Sequence, residues 1–300
     1  MSPFAIVCDS AADLPELLVQ QCDVRVVALD VRGGDASLPE ERSEGRGALR
    51  SPLGAPVSSA FFKTYSALID EGYREILSLH VAAELSRTYL MATAAARALE
   101  SSRARIVAVD TRSVSVGEAV AVLEAALARE EGASMDEAAE RAARVGASGV
   151  LQFIPASAGS LMRAMPTSRT ERLAAAIFGA NMVAEARVDG RGAFRVEPPR
   201  KASSVKHACA LVARRLARRS QNEGPLAFVT MGSDEMALRA LRKPLETNEL
   251  EGTDAGLLPL GPIALRSFGS ATVGVFSWPE TYHNPKVDTL IASLADRMRA

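Results

Sequence analysis

Cysteine is scarce. Cys8, Cys22 and Cys209 are the whole complement, far apart, with no CxxC pair and no histidine at ligand spacing. That spacing argues against both a disulfide framework and a structural zinc site, and predicts core thiols in a reducing compartment. Surplus charge is missing as well: 35 lysines and arginines face 36 acids, a formal charge of −1. No overall field therefore draws the chain to nucleic acid or to an anionic membrane. No segment reaches the roughly 18 continuous apolar residues of a membrane span. The stretch MSPFAIVCDS lacks the basic region and long apolar run of a secretion signal. Together these gaps predict a cytoplasmic protein with no nucleic-acid partner and no membrane insertion.

The common enzyme signatures are also lacking. There is no GxxxxGK[ST] loop, no GxGxxG after a strand, no HExxH and no GxSxG elbow. Ser203-Ser-Val-Lys206 matches SxxK but has no SDN or KTG companion. His80, His207 and His283 share no motif, and His80 at a strand end reads as a core histidine more readily than as a general base. No catalytic residue, metal or cofactor is expected.

What is present is alternation. Apolar runs at Phe4–Asp9, Val24–Val31, Glu75–His80 and Arg105–Asp110 are separated by helical patterns at Leu14–Gln20, Ser58–Glu71, Ser86–Glu100, Ser115–Glu131 and Ser134–Val145. Short apolar strands between amphipathic helices predict βαβ units around a parallel sheet buried on both faces. Ser134-Met-Asp-Glu137 fits a capping box, and Gly146-Ala-Ser-Gly149 offers a boundary. Beyond it the pattern changes. A hairpin is expected over Asn181–Val188 and Ala193–Glu197 about Asp189-Gly-Arg-Gly192. A long helix at Ser203–Ser220, a strand at Leu226–Met231, a helix capped by Ser233 or Asp234, short strands at Ile263–Arg266 and Thr272–Phe276, and a helix from Pro285 complete it. The expected fold is thus two α/β domains. Residues 1–149 would carry a parallel sheet flanked by helices, and 150–300 a mixed sheet with helices. Residues 32–56, rich in glycine, proline and charge, read as a solvated loop or as a lid.

In open parallel sheets, ligands bind beyond the carboxyl ends of the strands. Asp9-Ser10, Ser86-Arg87-Thr88 and Asp110-Thr-Arg-Ser113 should all land there. Hydroxyls and an arginine at a helix start suit an anion, because that end presents unpaired N–H groups and partial positive charge. The plainer alternatives are that Ser86 and Asp9 cap helices and that Arg87 faces water. The arginines of ARRLARRS, residues 213–220, read as a solvated helix face, or as a surface for an acidic partner.

As a set, FAIVCDSAADLP, VVALDV, PVSSAFFKTYSAL, ILSLHVAAELSRTYLMATAAA and VAVDTRSVSVGEAV follow one another in the order and spacing of the DegV family, which the first 130 residues resemble. The second half resembles it thinly, through Thr167-Ser-Arg169, DGRG and Gly269–Gly274. The resemblance implies a two-domain α/β carrier without catalysis of its own. It would hold a long-chain fatty acid between its domains and present the carboxylate to a separate fatty acid kinase subunit. By position, Ser86 and Thr88 match the serine and threonine of the family's SGTY. Asp9 and Ser10 match its DS, and Arg169 matches the arginine of its GGR. The sequence departs at the head-group end. Leu53-Gly54 replace a Thr-Ser pair, Arg87 replaces the glycine of SGTY, and Ser267 aligns with a histidine. The alternatives are an enzyme or sensor for a small phosphorylated or carboxylated metabolite, using Arg87, Asp9 and Asp110, and a scaffold whose pocket has closed.

Overall fold

The computed structural model describes residues 3–29, 58–100, 104–157, 181–247 and 250–299. The loop read over 32–56 and the segment around Arg169 fall outside them. In the first half, β1 (Ala5–Asp9), β2 (Val24–Val27), β3 (Glu75–His80) and β4 (Arg105–Asp110) form a parallel sheet in the order β2-β1-β3-β4. Strand side chains alternate between faces, and the apolar runs fill both. Ala5, Val7 and Ile76 pack with Phe61, Tyr65 and Leu68 of α2 (Ser58–Asp70) and with Ala92 and Ala95 of α3 (Thr88–Ala98). Ile6, Cys8, Leu77 and Leu79 turn the other way, toward Leu18 of α1 (Glu16–Gln21) and toward α4 (Val116–Glu130) and α5 (Met135–Ser148).

Helix α4 is apolar nearly all round, VGEAVAVLEAALARE, and all residues from Val116 to Arg129 are buried. A helix with no polar face belongs inside, and this one lies between the two sheets. Ser134 caps α5 through the expected reciprocal box with Glu137.

The second sheet holds β5 (Val150–Ile154), β6 (Met182–Val188), β7 (Phe194–Lys201), β8 (Leu226–Gly232), β9 (Gly252–Leu258) and β10 (Val273–Pro279) in the order β7-β6-β5-β10-β8-β9. Its pairs are antiparallel except β8–β9. One face packs on α6 (Val205–Glu223) and α7 (Glu235–Thr247). The other joins α4, α5 and α9 (Lys286–Arg299) in one apolar cluster shared with the first sheet.

Three sequence readings change. Residues 263–266 are not a strand; they lie in a short helix, α8 (Pro262–Phe268). Strands β5 and β9 went unread. The basic helix α6 is not solvated throughout, because Arg215 pairs with buried Glu185. Arg219 reaches the carbonyls of Ser148 at 2.7 Å and Ser277 at 2.8 Å. Only Arg214 and Arg218 remain exposed on that stretch.

Candidate functional site

The loops leaving β1, β3 and β4 meet at the carboxyl edge of the first sheet, facing the second half. Asp9 ends β1 with its side chain fully buried. One oxygen accepts from Ala11 N–H at 2.9 Å, and the other accepts from Val81 N–H at 3.1 Å and faces His80 Nδ1 at 3.2 Å. His80 Nε2 lies 2.9 Å from Ser78 Oγ, which accepts from the Tyr65 hydroxyl at 2.8 Å. With the Asp9 oxygen as acceptor for Nδ1–H, Nε2 is left to accept from the Ser78 hydroxyl, so the ring proton sits on Nδ1, toward Asp9. The residue read as a cap or a ligand contact thus anchors a buried polar chain, and His80 is a satisfied core residue. Ser10 Oγ accepts from Leu29 N–H at 2.9 Å and ties the β1 loop to the chain leaving β2.

Ser86 and Thr88 are buried, with their hydroxyl oxygens 2.6 Å apart, and Ser86 Oγ also accepts from Thr88 N–H at 3.2 Å. Arg87 between them is the N-cap of α3, without a capping side-chain bond, and is exposed. The turn therefore sends the two hydroxyls inward and the guanidinium outward. Asp110 is half-buried and accepts from Arg112 N–H at 2.8 Å and Ala83 N–H at 3.3 Å; burial pushes its carboxyl up. Ser267 lies half-buried on α8. Arg169 lies outside the described residues.

Asp13 joins this edge to the second half. Its Oδ1 accepts from Ile263 N–H at 3.0 Å, and its Oδ2 accepts from Ala264 N–H at 3.0 Å and Ser115 Oγ at 3.1 Å. Burial pushes its carboxyl to about 7, against these donors, which favour the charged form. Sequence reading singled out Asp9 and Ser10 in this loop and gave Asp13 no role. The available signal was Gly261-Pro262, a helix start with no side chain to cap it. Glu118 of α4 is fully buried, and neither carboxyl oxygen has a hydrogen-bond partner. Burial, then the negative charges of Asp9, Asp13 and Asp110, push its carboxyl well up.

A second contact between the halves is the Glu84 carboxylate accepting from Phe194 N–H at 2.9 Å. Around it Val81, Ala82, Leu85, Phe153, Met182, Ala184 and Phe268 belong to one apolar cluster. The Phe153 and Phe268 rings lie 4.9 Å apart, centre to centre. A cavity of about 830 Å³, within the size range of ligand pockets, lies elsewhere, between α7, β9 and α9, with Leu238, Leu257, Ile291 and Leu294 in its wall. Among the described residues, no group of histidine, cysteine and acids is arranged to hold a metal ion, and no helix is long and apolar enough to cross a membrane.

A family model described as an uncharacterised protein of the DegV family matches residues 3–280. A DegV domain-containing protein of Clostridium perfringens is 29% identical over 147 residues, 46% of this chain and 51% of that protein, so the chain spans about half of that relative's length. Among solved structures, a DegV family protein from Corynebacterium glutamicum superposes with a TM-score of 0.74 at 20% identity, covering 93% of this chain and 98% of the other. A DegV family protein from Thermus thermophilus, reported for its fatty acid binding, gives 0.69 at 23% identity, covering 93% and 100%. At these identities the superpositions establish a shared two-domain α/β fold.

Proposed function

Because the chain belongs to the DegV family, we propose that it binds a long-chain fatty acid or related lipid anion between its two α/β halves, with the head group at Ser86 and Thr88. The observation that carries this reading is the buried hydroxyl pair at the start of α3, 2.6 Å apart, beside the apolar cluster common to both halves. A helix start carries partial positive charge that favours a carboxylate, and an apolar seam suits an acyl chain. Fatty acid binding is reported for the Thermus thermophilus protein of the same fold.

In this reading Asp9 and Ser10 hold the loops that form the floor of the head-group site. Arg87 stands at the rim, and Ser267 faces the approach from the second half; Arg169 is assigned to the head group by its match to the family motif alone. The halves divide at 149/150. The protein works in the cytoplasm as a carrier without chemistry of its own, presenting the carboxylate to a partner such as a fatty acid kinase subunit.

Magnitudes favour the chain over the head. Burying about 14 methylenes at about 0.8 kcal/mol each is on the order of 11 kcal/mol gross, before association costs. One hydrogen bond to a charged group contributes only about 1.5–3 kcal/mol. Replacing family hydroxyls by Leu53 and Gly54 should weaken the head-group grip while leaving the larger contribution in place.

Native mass spectrometry of the purified protein, followed by titration with palmitate and oleate, tests the proposal. The expected result is a co-purifying acyl chain and stabilisation by added fatty acid. An empty protein that is stabilised by phosphorylated metabolites and ignores fatty acids would refute it.

A further inference from the structure

Helix α8 has seven residues and no capping side chain of its own; Gly261 sits at its N-cap. A helix this short does not hold itself together. Its first free amides, those of Ile263 and Ala264, are instead satisfied by the two oxygens of Asp13, 250 and 251 positions away.

The geometry around that carboxylate is built with some strain. Asp13 has φ 50, and Ser115, which donates to it, has φ 52 with ψ −128. Left-handed backbone at non-glycine residues persists where surrounding structure enforces it and gathers at functional sites. Ser115 is held there by its own amide bonding Ala11 O at 3.0 Å. The approach is also close: a Cβ on Gly261 would fall 2.3 Å from Asp13 Oδ1.

The far end of α8 is fastened to the second sheet. The Phe268 carbonyl accepts from Ala156 N–H at 3.0 Å and from the Thr272 hydroxyl at 2.8 Å. One end of this helix is therefore fixed to each half of the protein. Among the described residues, the ionisable groups that act on Asp13 from the elements around it, Asp9 and Glu118, are both acids, and hydrogen-bond donors rather than a cation hold it in place.

We infer that Asp13 is the positioning residue of the interdomain site: its carboxylate, reaching from the β1 loop into the first turn of α8, sets the spacing of the two halves and with it where α8 holds Ser267. The inference takes its ligand from the lipid reading above, and the tie itself stands on geometry.

Two substitutions separate positioning from simple capping. Asp13→Gly suits the left-handed backbone at that site and removes the three atoms that a Cβ at position 261 would strike. Adding Gly261→Ser then supplies a local cap in a backbone conformation, φ −79 and ψ 176, that serine accepts. Palmitate affinity and hydrogen exchange of the Ile263 and Ala264 amides are measured for the wild type, Asp13→Gly and the double variant. Asp13→Gly is expected to lose both amide protection and about tenfold or more in affinity, the loss of at least one charged hydrogen bond. The double variant is expected to regain protection and not affinity. Recovery of affinity by the double variant, or wild-type affinity in Asp13→Gly, would show that a local cap suffices and would overturn the inference. If Asp13→Gly does not fold, Asp13→Asn, which keeps one acceptor and the side-chain atoms beside Gly261, is compared with the wild type alone: a loss of affinity together with amide protection supports the inference, and wild-type affinity with lost protection overturns it.

Should the wild type itself ignore palmitate, the lipid reading fails and the tie is judged without ligand. Spin labels at exposed Lys63 on α2 and Arg214 on α6 report the spacing of the halves. A distance distribution that broadens in Asp13→Gly supports the tie, and an unchanged one refutes it.

Discussion

Replacing Ser78 by alanine should cost more stability than its single hydroxyl suggests. Ser78 is fully buried and stands between the Tyr65 hydroxyl, from which it accepts at 2.8 Å, and His80 Nε2 at 2.9 Å, two atoms with no other partner among the described residues. Alanine leaves a phenol and a ring nitrogen unpaired where water does not reach. Each orphan costs about 1–3 kcal/mol, so the substitution should cost roughly 2–6 kcal/mol. Tyr65→Phe removes the need along with the bond and leaves Ser78 donating to His80, for about 1 kcal/mol. The double variant has no stranded phenol and should cost less than the sum by about 1–3 kcal/mol. Urea unfolding reads all three: with a slope of about 2 kcal/mol per molar, Ser78→Ala moves the midpoint down by roughly 1–3 M at unchanged slope. A Ser78→Ala midpoint no lower than that of Tyr65→Phe, or strict additivity, would refute the reasoning.

Other outcomes follow from the same contacts. Burial raises Glu124 to about 7 from 4.5, so the folded protein keeps a proton that the unfolded chain releases. Its contribution is present below pH 4.5 and falls away by roughly 3 kcal/mol as pH rises through 7; Glu124→Gln should raise the melting temperature at pH 8 and leave it unchanged at pH 4. In palmitate titrations Ser86→Ala should weaken binding about tenfold without abolishing it. Arg87→Gly, which trims an exposed side chain, should leave affinity within about threefold, as surface charges contribute little; a larger loss would move the guanidinium into the site. Gly146→Ala would place a Cβ 1.8 Å from the Thr111 carbonyl oxygen. That backbone contact cannot yield, so circular dichroism should show a cost of more than about 3 kcal/mol, or no fold.

How far the sequence carries can be read element by element. The runs AIVCD and EILSLH read as doubly buried strands and are central in their sheet, while RIVAVD, as apolar, is one of its two edge strands and mostly half-buried. Composition reports what a strand tolerates, not its place in the order. Strand β9, GTDAGLL, escaped notice because an edge strand with two glycines and a carboxylate bonding its own backbone shows little alternation. Strand β7 runs on through Pro198 and Pro199, where its register with β6 shifts. Proline inside a strand is expected only at an edge or a bulge, and both conditions hold. Helix α8 looked like a strand because IALR is too short to declare a period and its cap is supplied from residue 13. Around Ser86 the motif announced a strand-to-helix turn with two hydroxyls, and both are buried at the start of α3. Which side chain faces inward depended on the turn, and the turn sends Arg87 to the surface.

The bond between residue 13 and residues 263 and 264 closes nearly the whole length of the polypeptide. Contacts so remote in sequence form late, because the intervening loop must first be ordered. During synthesis the first sheet can assemble while its carboxylate waits for a helix the ribosome has not yet made. The junction of the two halves is therefore the last part of the molecule to be completed, and a chain interrupted before residue 262 would carry the Ser86 and Thr88 hydroxyls without the brace that ties the first half to α8.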